Sequence, residues 1–489
     1  MGELQGTLFS PEYNRSIQVE ARPEKLTSDA GALLLREVME RLGYSRLFER
    51  HLTDPRSPGR VTHPYAELLR TALLLLAQGW SDQSDVGLLR DDPALRLAVS
   101  SRRSQRPLRA AAGREPEGLC SQPTLSRLHQ DLGLGQNRVG LRAVLLEGAE
   151  RRMRARAGAT QREITLDLDS VPYEVFGHQP GSAGNGHYGV RGYHPILVRS
   201  EQGDYLGAKL RPGNVHTADG GLKFVLPILR RAREWAERVW LRVDAGFPEA
   251  KLLQTLEEEE FLYVARLNGN AVLKRMAAPY LTRPAGRPPA EGRLWTHELL
   301  YRAASWPHPR RVVLVVLERA KEQGELFLDH FFLLTNASVA EVPGEDLLER
   351  YRQRGTAEKD FGEWKQALDV SLSSTPRPKS HYRGRELRDP YTEPDSFAAN
   401  EARLLLSLIA ANLLHAGSAL LAREDARPSR ETFRKLVLKT AGRAVLSGRR
   451  VTFVIESSRA RLWSRCVRGL KHLYPARGSP ASQTLPAPA

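Results

Sequence analysis

The segment Glu163 to Ser170 reads EITLDLDS and alternates apolar with polar residues. Side chains on a β-strand point to opposite faces in turn, so Ile164, Leu166 and Leu168 share one face while Asp167 and Asp169 share the other. Carboxylates at a strand end are well placed to ligate a divalent cation through hard oxygen atoms. A further carboxylate, Asp244, closes the apolar run VWLRVD where it gives way to a Gly-containing turn. Taken singly, each of these carboxylates reads equally well as a solvated strand residue or a turn cap. The densest signal lies farther on, where Tyr351, Arg354, Glu358 and Lys365 stand at i, i+3, i+7 and i+14 of a helical pattern. At about 100° per residue these four positions fall within an arc of roughly 60°, one narrow polar stripe. Such a stripe can face a site, although neighbouring Glu349, Arg350, Lys359 and Asp360 also suit a solvated, ion-paired face.

The elements around these residues follow from hydrophobic periodicity. Residues 24 to 100 carry apolar residues at three-to-four spacing, and a short helix at 121 to 133 is followed by a longer one reaching the Arg-rich segment at 151 to 162, which predicts an all-helical region over 1–160. From Glu163 the alternation predicts three consecutive strands in an antiparallel meander, then helix, strand, helix, strand. That order is a mixed sheet covered by helices, an α/β fold. Residues 161–267 and 345–422 form the two parts of this core. Between them, 268–344 turns Pro-rich and then β-rich, with RRVVLVVLERA and LFLDHFFLLTNA as its clearest strands, and reads as an insertion. One continuous helix is expected through GEDLLERYRQRGTAEKDFGEWKQAL. A basic region, 423–489, contains one strand, RRVTFVIES, and ends in a tail of disordered composition, RGSPASQTLPAPA.

The 489 residues are enough for about three folding units. Lys and Arg total 73 against 57 Asp and Glu, a net charge of +16 at a pI near 10.0. Such a balance favours a polyanionic partner, with nucleic acid ahead of an anionic membrane surface. Only 12 of the basic residues are Lys, so Arg, suited to bidentate phosphate contacts, carries most of the charge. With two cysteines, Cys120 and Cys466, neither a disulfide framework nor a four-Cys zinc site can be built, which fits a reducing cytosol. The N-terminus lacks the basic and apolar stretches of a secretory signal. Leu404 to Ala422 has no charged residue, but it carries Asn412, His415 and Gly417 near its middle and reads as a buried core helix.

Tyr351-x2-Arg354-x3-Glu358-x6-Lys365 matches the YREK signature of bacterial DDE insertion-sequence transposases. Over most of its length the chain also resembles insertion-sequence family thirteen-eighty, through LTSDAGALLLREV, LLRDDPALRLAV, SQPTLSRL, LDLDS, GHYGVRGYHP, KLRPGNVHTADG and RVDAGF. The resemblance implies a ribonuclease-H-like catalytic core with Asp169, Asp244 and Glu358 as the catalytic, metal-binding triad and Asp167 as the alternate to Asp169. Two Mg²⁺ ions, replaceable by Mn²⁺, would serve phosphodiester cleavage. Tyr351, Arg354 and Lys365 would bind DNA phosphates near the cleaved end. The implied activity is cut-and-paste transposition: a homodimer in the bacterial cytoplasm, associated with the nucleoid, binds terminal inverted repeats, cuts them and joins 3′-hydroxyls to target DNA. A catalytically silent DNA-binding remnant or repressor, and a ribonuclease-H-like nuclease without strand transfer, remain alternatives.

Other residues carry weaker signals. His194 and His216 read more readily as structural or solvent-facing, and Asn185 as turn chemistry. The helix SQPTLSRLHQDLG is a candidate reader of the terminal repeat. Arg clusters at 102–114, 151–156 and 377–388 are candidate phosphate contacts.

Overall fold

The computed structural model describes residues 6–109, 118–157, 161–175, 179–186, 189–285, 291–318, 328–368, 371–373, 381–382, 385–386, 396–422 and 428–475. At its centre is an eight-stranded mixed sheet. Its strands in chain order are β1 (Gln161–Ser170), β2 (Ile196–Ser200), β3 (Tyr205–Lys209), β4 (Ala236–Val243), β5 (Leu262–Leu267), β6 (Arg293–Tyr301), β7 (Arg310–Glu318) and β8 (Asp329–Thr335). Across the sheet they run β6-β7-β8-β5-β4-β1-β2-β3. The pairs β1/β4 and β4/β5 are parallel and the others antiparallel. The meander expected from residue 163 onward is therefore β1-β2-β3, and the alternation of helix and strand after it supplies β4 and β5.

Seven helices bear on the site: α1 (Gln122–Gly133), α2 (Gly135–Ala157), α3 (Gly221–Arg233), α4 (Ala250–Glu258), α5 (Gly344–Arg352), α6 (Gly355–Leu368) and α7 (Ser396–Ala419). One sheet face, with Ile164, Leu166 and Leu168, packs against Val225 and Leu229 of α3 and Leu252 and Leu256 of α4. On the opposite face, Trp240, Val264 and Leu333 meet Leu347 and Leu348 of α5, and Leu197 and Tyr205 join the core that holds Phe361 and Trp364 of α6. Both faces are thus covered, which is why strand centres such as β7 are apolar on both sides.

Three expectations are corrected. The helix through 344–368 is interrupted: α5 ends at Arg352 and α6 begins at Gly355, with Gln353 and Arg354 in a turn between them. Glycine, a poor helix former, marks the break. The β-rich segment 268–344 builds no sheet of its own, because β6, β7 and β8 hydrogen-bond onto β5 and extend the central sheet to its edge. Residues 1–160 are not all helical: Gly6–Phe9 pairs with Val19–Ala21, and Lys25–Thr27 pairs with Gly442–Ser447 from the basic C-terminal region. That region holds a second strand beside the expected one, Arg450–Ile455.

The apolar stretch near 404–422 forms α7, long and apolar enough to cross a membrane by composition, yet 94% of that window is buried inside the protein. It packs with Leu69, Leu73, Leu125, Leu128, Leu141 and Leu145 of the N-terminal helices in one core. A helix apolar on all sides requires such burial. The Arg cluster at 102–114 is described only to residue 109; the tail 477–489 and most of the cluster at 377–388 lie outside the described residues.

Candidate active site

Parallel pairing of β1 with β4 places Leu168 opposite Val243. The next residue on each strand is a carboxylate, so Asp169 and Asp244 emerge side by side at the same end of the sheet, about one inter-strand spacing of 4.8 Å apart. The Asp169 Oδ1 accepts from the Ser170 backbone N–H at 2.9 Å, and the Asp244 Oδ1 accepts from the Gly246 N–H at 2.9 Å. Each carboxylate is therefore anchored by one oxygen and presents the other.

Arg354, in the turn between α5 and α6, reaches both. Its guanidinium lies 2.6 Å from Asp169 Oδ2, 3.8 Å from Asp244 Oδ2 and 3.1 Å from Glu358 Oε1. Glu358 sits in the first turn of α6 with its side chain 70% exposed, whereas that of Asp169 is only 10% exposed. Three carboxylates from β1, the end of β4 and α6 thus converge on one cation supplied by the chain. Burial pushes the pKa of the Asp169 carboxyl up to about 7, with Arg354 opposing and Asp244 adding to the rise. Burial works against the charged Arg354, but the carboxylates, Asp169 foremost, outweigh it and its pKa is raised.

The interruption after Arg352 decides which stripe residues meet. Arg354 and Glu358 join the two aspartates. Tyr351 is part of the α5 contact with Trp240 and Val264, and burial raises its pKa. Lys365 lies two turns farther along α6, where its ammonium donates to the Pro172 carbonyl at 2.6 Å and stands 5.8 Å from the Tyr173 ring. Burial lowers its pKa.

Asp167, on the same strand face as Asp169, is in a different setting. It stands opposite Arg242 on β4 and Arg199 on β2 in the sheet register. Arg242 bonds it bidentately at 2.5 and 3.0 Å, and Arg199 reaches it at 3.3 Å. Arg199 continues to Asp360 of α6 at 2.6 Å, and Arg430 bonds Asp360 at 3.3 Å and Glu363 at 3.2 Å. This buried ionic chain ties the sheet to α6 directly beneath the carboxylates. Sequence reasoning passed it over; the signal was an arginine inside each of two apolar strands, ILVRS and VWLRV, where a charge must have a partner.

His194 is buried with Nδ1 3.2 Å from the Val215 carbonyl, and the Asn185 amide donates to the Gly213 carbonyl at 2.9 Å. Exposed His216 accepts from the Ala218 N–H at 3.3 Å. In each of these three bonds the partner is a backbone group of the loop after β3, as suits a residue that shapes the chain. On α1, Leu125, Leu128, His129 and Leu132 are buried against the core, leaving Gln122 and Arg127 exposed. In the cluster at 151–156, Arg152 forms a fully buried ion pair with Asp204, and Arg151 donates to the Leu42 and Gly43 carbonyls.

Among the described residues, no three His, Cys, Asp or Glu side chains are grouped as a metal site. The donor set of Asp169, Asp244 and Glu358 nevertheless suits a hard divalent cation, being all carboxylate oxygen. The Arg354 guanidinium neutralises these carboxylates in the structure, so a cation held by all three would have to take its place.

A family model described as transposase DDE domain, group 1, matches residues 9–381. A search of curated proteins finds no match. Among solved structures, the cryo-EM structure of a piggyBac transposase synaptic complex with hairpin DNA is 11% identical at a TM-score of 0.36, with 95% of this chain and 86% of that chain covered.

Proposed function

Because the chain belongs to the family of transposases with a group 1 DDE domain, we propose that it binds the terminal inverted repeats of a mobile element, cuts the ends and joins their 3′-hydroxyls to target DNA. The site is the cluster of Asp169, Asp244 and Glu358 on a ribonuclease-H-like core, and two copies bring the two ends together on the DNA of a bacterial cytoplasm. The observation that carries the reading is the convergence of these three carboxylates, from three separate elements, on Arg354. Asp169 is preferred to Asp167 because Asp167 is fully engaged by Arg242 and Arg199.

Two Mg²⁺ ions, or Mn²⁺ in their place, held by the three carboxylates would supply an activated attacking oxygen and charge stabilisation at the leaving oxygen. The chain's own residues do the rest. Asp169 and Asp244 are fixed by their backbone hydrogen bonds, so the acidic end of the sheet is set before DNA arrives. Exposed Glu358 completes the cluster from α6. Once withdrawn, Arg354 is free to bind a phosphate of the cleaved strand bidentately, and Lys365 and Tyr351 extend the phosphate contact along the helices.

The test uses purified protein and a duplex carrying one element end next to flanking DNA, with target plasmid present. Wild-type protein should nick the end and form joined products in Mg²⁺, while Asp244→Asn and Glu358→Gln should bind the end as wild type yet cut at least a thousandfold more slowly. Unchanged cutting by either variant would sink the site assignment. Cutting without joined products would identify a nuclease, and end binding without cutting by wild type a silent DNA-binding protein.

A further inference from the structure

The Arg cluster at the end of the N-terminal helices and the basic C-terminal region, some 340 residues apart in sequence, form one surface. The hairpin of Gly442–Ser447 and Arg450–Ile455 turns at Gly448, whose φ of 55° suits glycine in a tight turn. Three successive carbonyls of that turn accept side-chain hydrogen bonds from one loop: Gly448 from Arg109 at 3.4 Å, Arg449 from Ser104, and Arg450 from Gln105 at 2.7 Å. Gln105 is 3% exposed, so the junction is packed as well as hydrogen-bonded.

Around this junction Arg102, Arg103, Arg106, Arg109, Arg449 and Arg450 are all exposed. Neither 102–109 nor 442–455 contains an Asp or Glu. Pinning together two cationic segments that contain no acidic residue costs Coulomb energy, because like charges brought closer repel, and salt screens that repulsion only in part. A chain that fixes such a self-repelling cluster with three specific bonds has a surface that an external polyanion would stabilise. Duplex DNA fits, since its phosphates lie at one charge per about 1.7 Å of axis and guanidinium groups bind them in pairs of hydrogen bonds.

We propose that the 102–109 loop and the 448–450 turn together form a phosphate-backbone clamp for duplex DNA, separate in its residues from the carboxylate site. The proposal rests on the transposase reading and deepens it: α1 or another element reads sequence, and this clamp holds DNA without regard to sequence.

The experiment measures binding of full-length protein to a fluorescein-labelled duplex of mixed sequence, by anisotropy across a range of NaCl concentrations. Arg449→Ala with Arg450→Ala should make the plot of log K against log salt shallower by about 2, at roughly 0.9 for each phosphate no longer neutralised, and weaken binding about tenfold or more at physiological salt. Arg103→Ala with Arg106→Ala should do the same. The double replacement Arg449→Lys and Arg450→Lys keeps the charges and should retain most of the slope, which separates weakened phosphate binding from misfolding. Equal slopes and affinities for wild type and alanine variants would overturn the clamp. So would variants that lose binding to phosphatidylserine vesicles while holding the duplex as wild type. If wild type binds no duplex at all, the transposase reading falls too; if it binds and the variants match it, the clamp alone falls.

Discussion

Asp167 and Asp169 face the same side of β1 but differ in what they neutralise. Asp167 is 1% exposed and is the carboxylate shared by Arg242 and Arg199, so Asp167→Asn would take the paired charge from buried Arg242 and leave buried Arg199 with Asp360 alone. Breaking a buried ion pair from one side costs about 3–5 kcal/mol, and we expect a loss of that size in urea denaturation at unchanged m. A loss under about 1 kcal/mol would remove the structural role. Asp169→Asn should behave oppositely, because burial already disfavours its charge: cutting is lost while the denaturation midpoint stays or rises. Alternation in EITLDLDS put both aspartates on one face from sequence alone, but choosing between them needed the partners across the sheet. Arg354 carries a prediction of its own. With the guanidinium gone, Arg354→Gln should bind Mn²⁺ about tenfold more tightly by calorimetry on DNA-free protein, a change of about 1.4 kcal/mol. Equal or weaker affinity would show that Arg354 does not compete for the cation's place.

At the scale of elements, α7 shows how polar residues in an apolar helix can be structural. β3 is an edge strand, and its outer Tyr205 N–H and carbonyl are bonded by the Asn412 side-chain amide at 2.9 and 2.8 Å, as a neighbouring strand would do. Asn412→Leu should cost roughly 1–3 kcal/mol for each backbone group left unpaired, read as a drop in denaturation midpoint. A neutral outcome would mean that water replaces the amide. The composition of 404–422 showed that the helix is buried, but the target of Asn412 lies about 200 residues away and left no local trace. α1 offers a test in pH. His129 is buried beside Gln83 and under the field of Arg403, and burial first, then Arg403, lower its pKa from about 6.5 to about 3. The folded protein therefore excludes a proton that the unfolded chain takes up below 6.5. Stability is fully present above that pH and falls at about 1.4 kcal/mol per pH unit down toward 3. His129→Gln should flatten the slope by that amount; an unchanged slope would place the acid sensitivity elsewhere.

Over the whole molecule, helices and strands were legible where one face alternates or repeats, whereas connections between distant segments were not. Composition separates 1–160, 345–422 and 423–489, yet Leu69, Leu141, Leu405, Phe433 and Leu470 belong to one hydrophobic core. Gly31 lies so close to the C-terminal segment that an added Cβ would stand 2.3 Å from the Leu438 Cα. Arg434 bonds the Ala77 carbonyl at 2.8 Å, and Arg430 bonds Asp360, beside the site. Periodicity reports which face of a helix is apolar and is silent on which apolar face it meets. The basic C-terminal region therefore acts as a structural support of the part that carries the carboxylate cluster, packing into one core with it. A chain ending at residue 422 loses Phe433, Val437, Leu438, Cys466, Leu470 and Tyr474 from that core. At about 1.5–3 kcal/mol for each buried side chain, an upper estimate, the loss is comparable to a whole domain's stability of roughly 5–15 kcal/mol. We expect the truncated protein to lack a cooperative thermal transition and to aggregate, whereas a separable DNA-binding appendage would leave a soluble core melting within a few degrees of full length. Calorimetry of the two chains side by side decides between a support and an appendage, and a native-like transition in the shorter chain would refute the shared core.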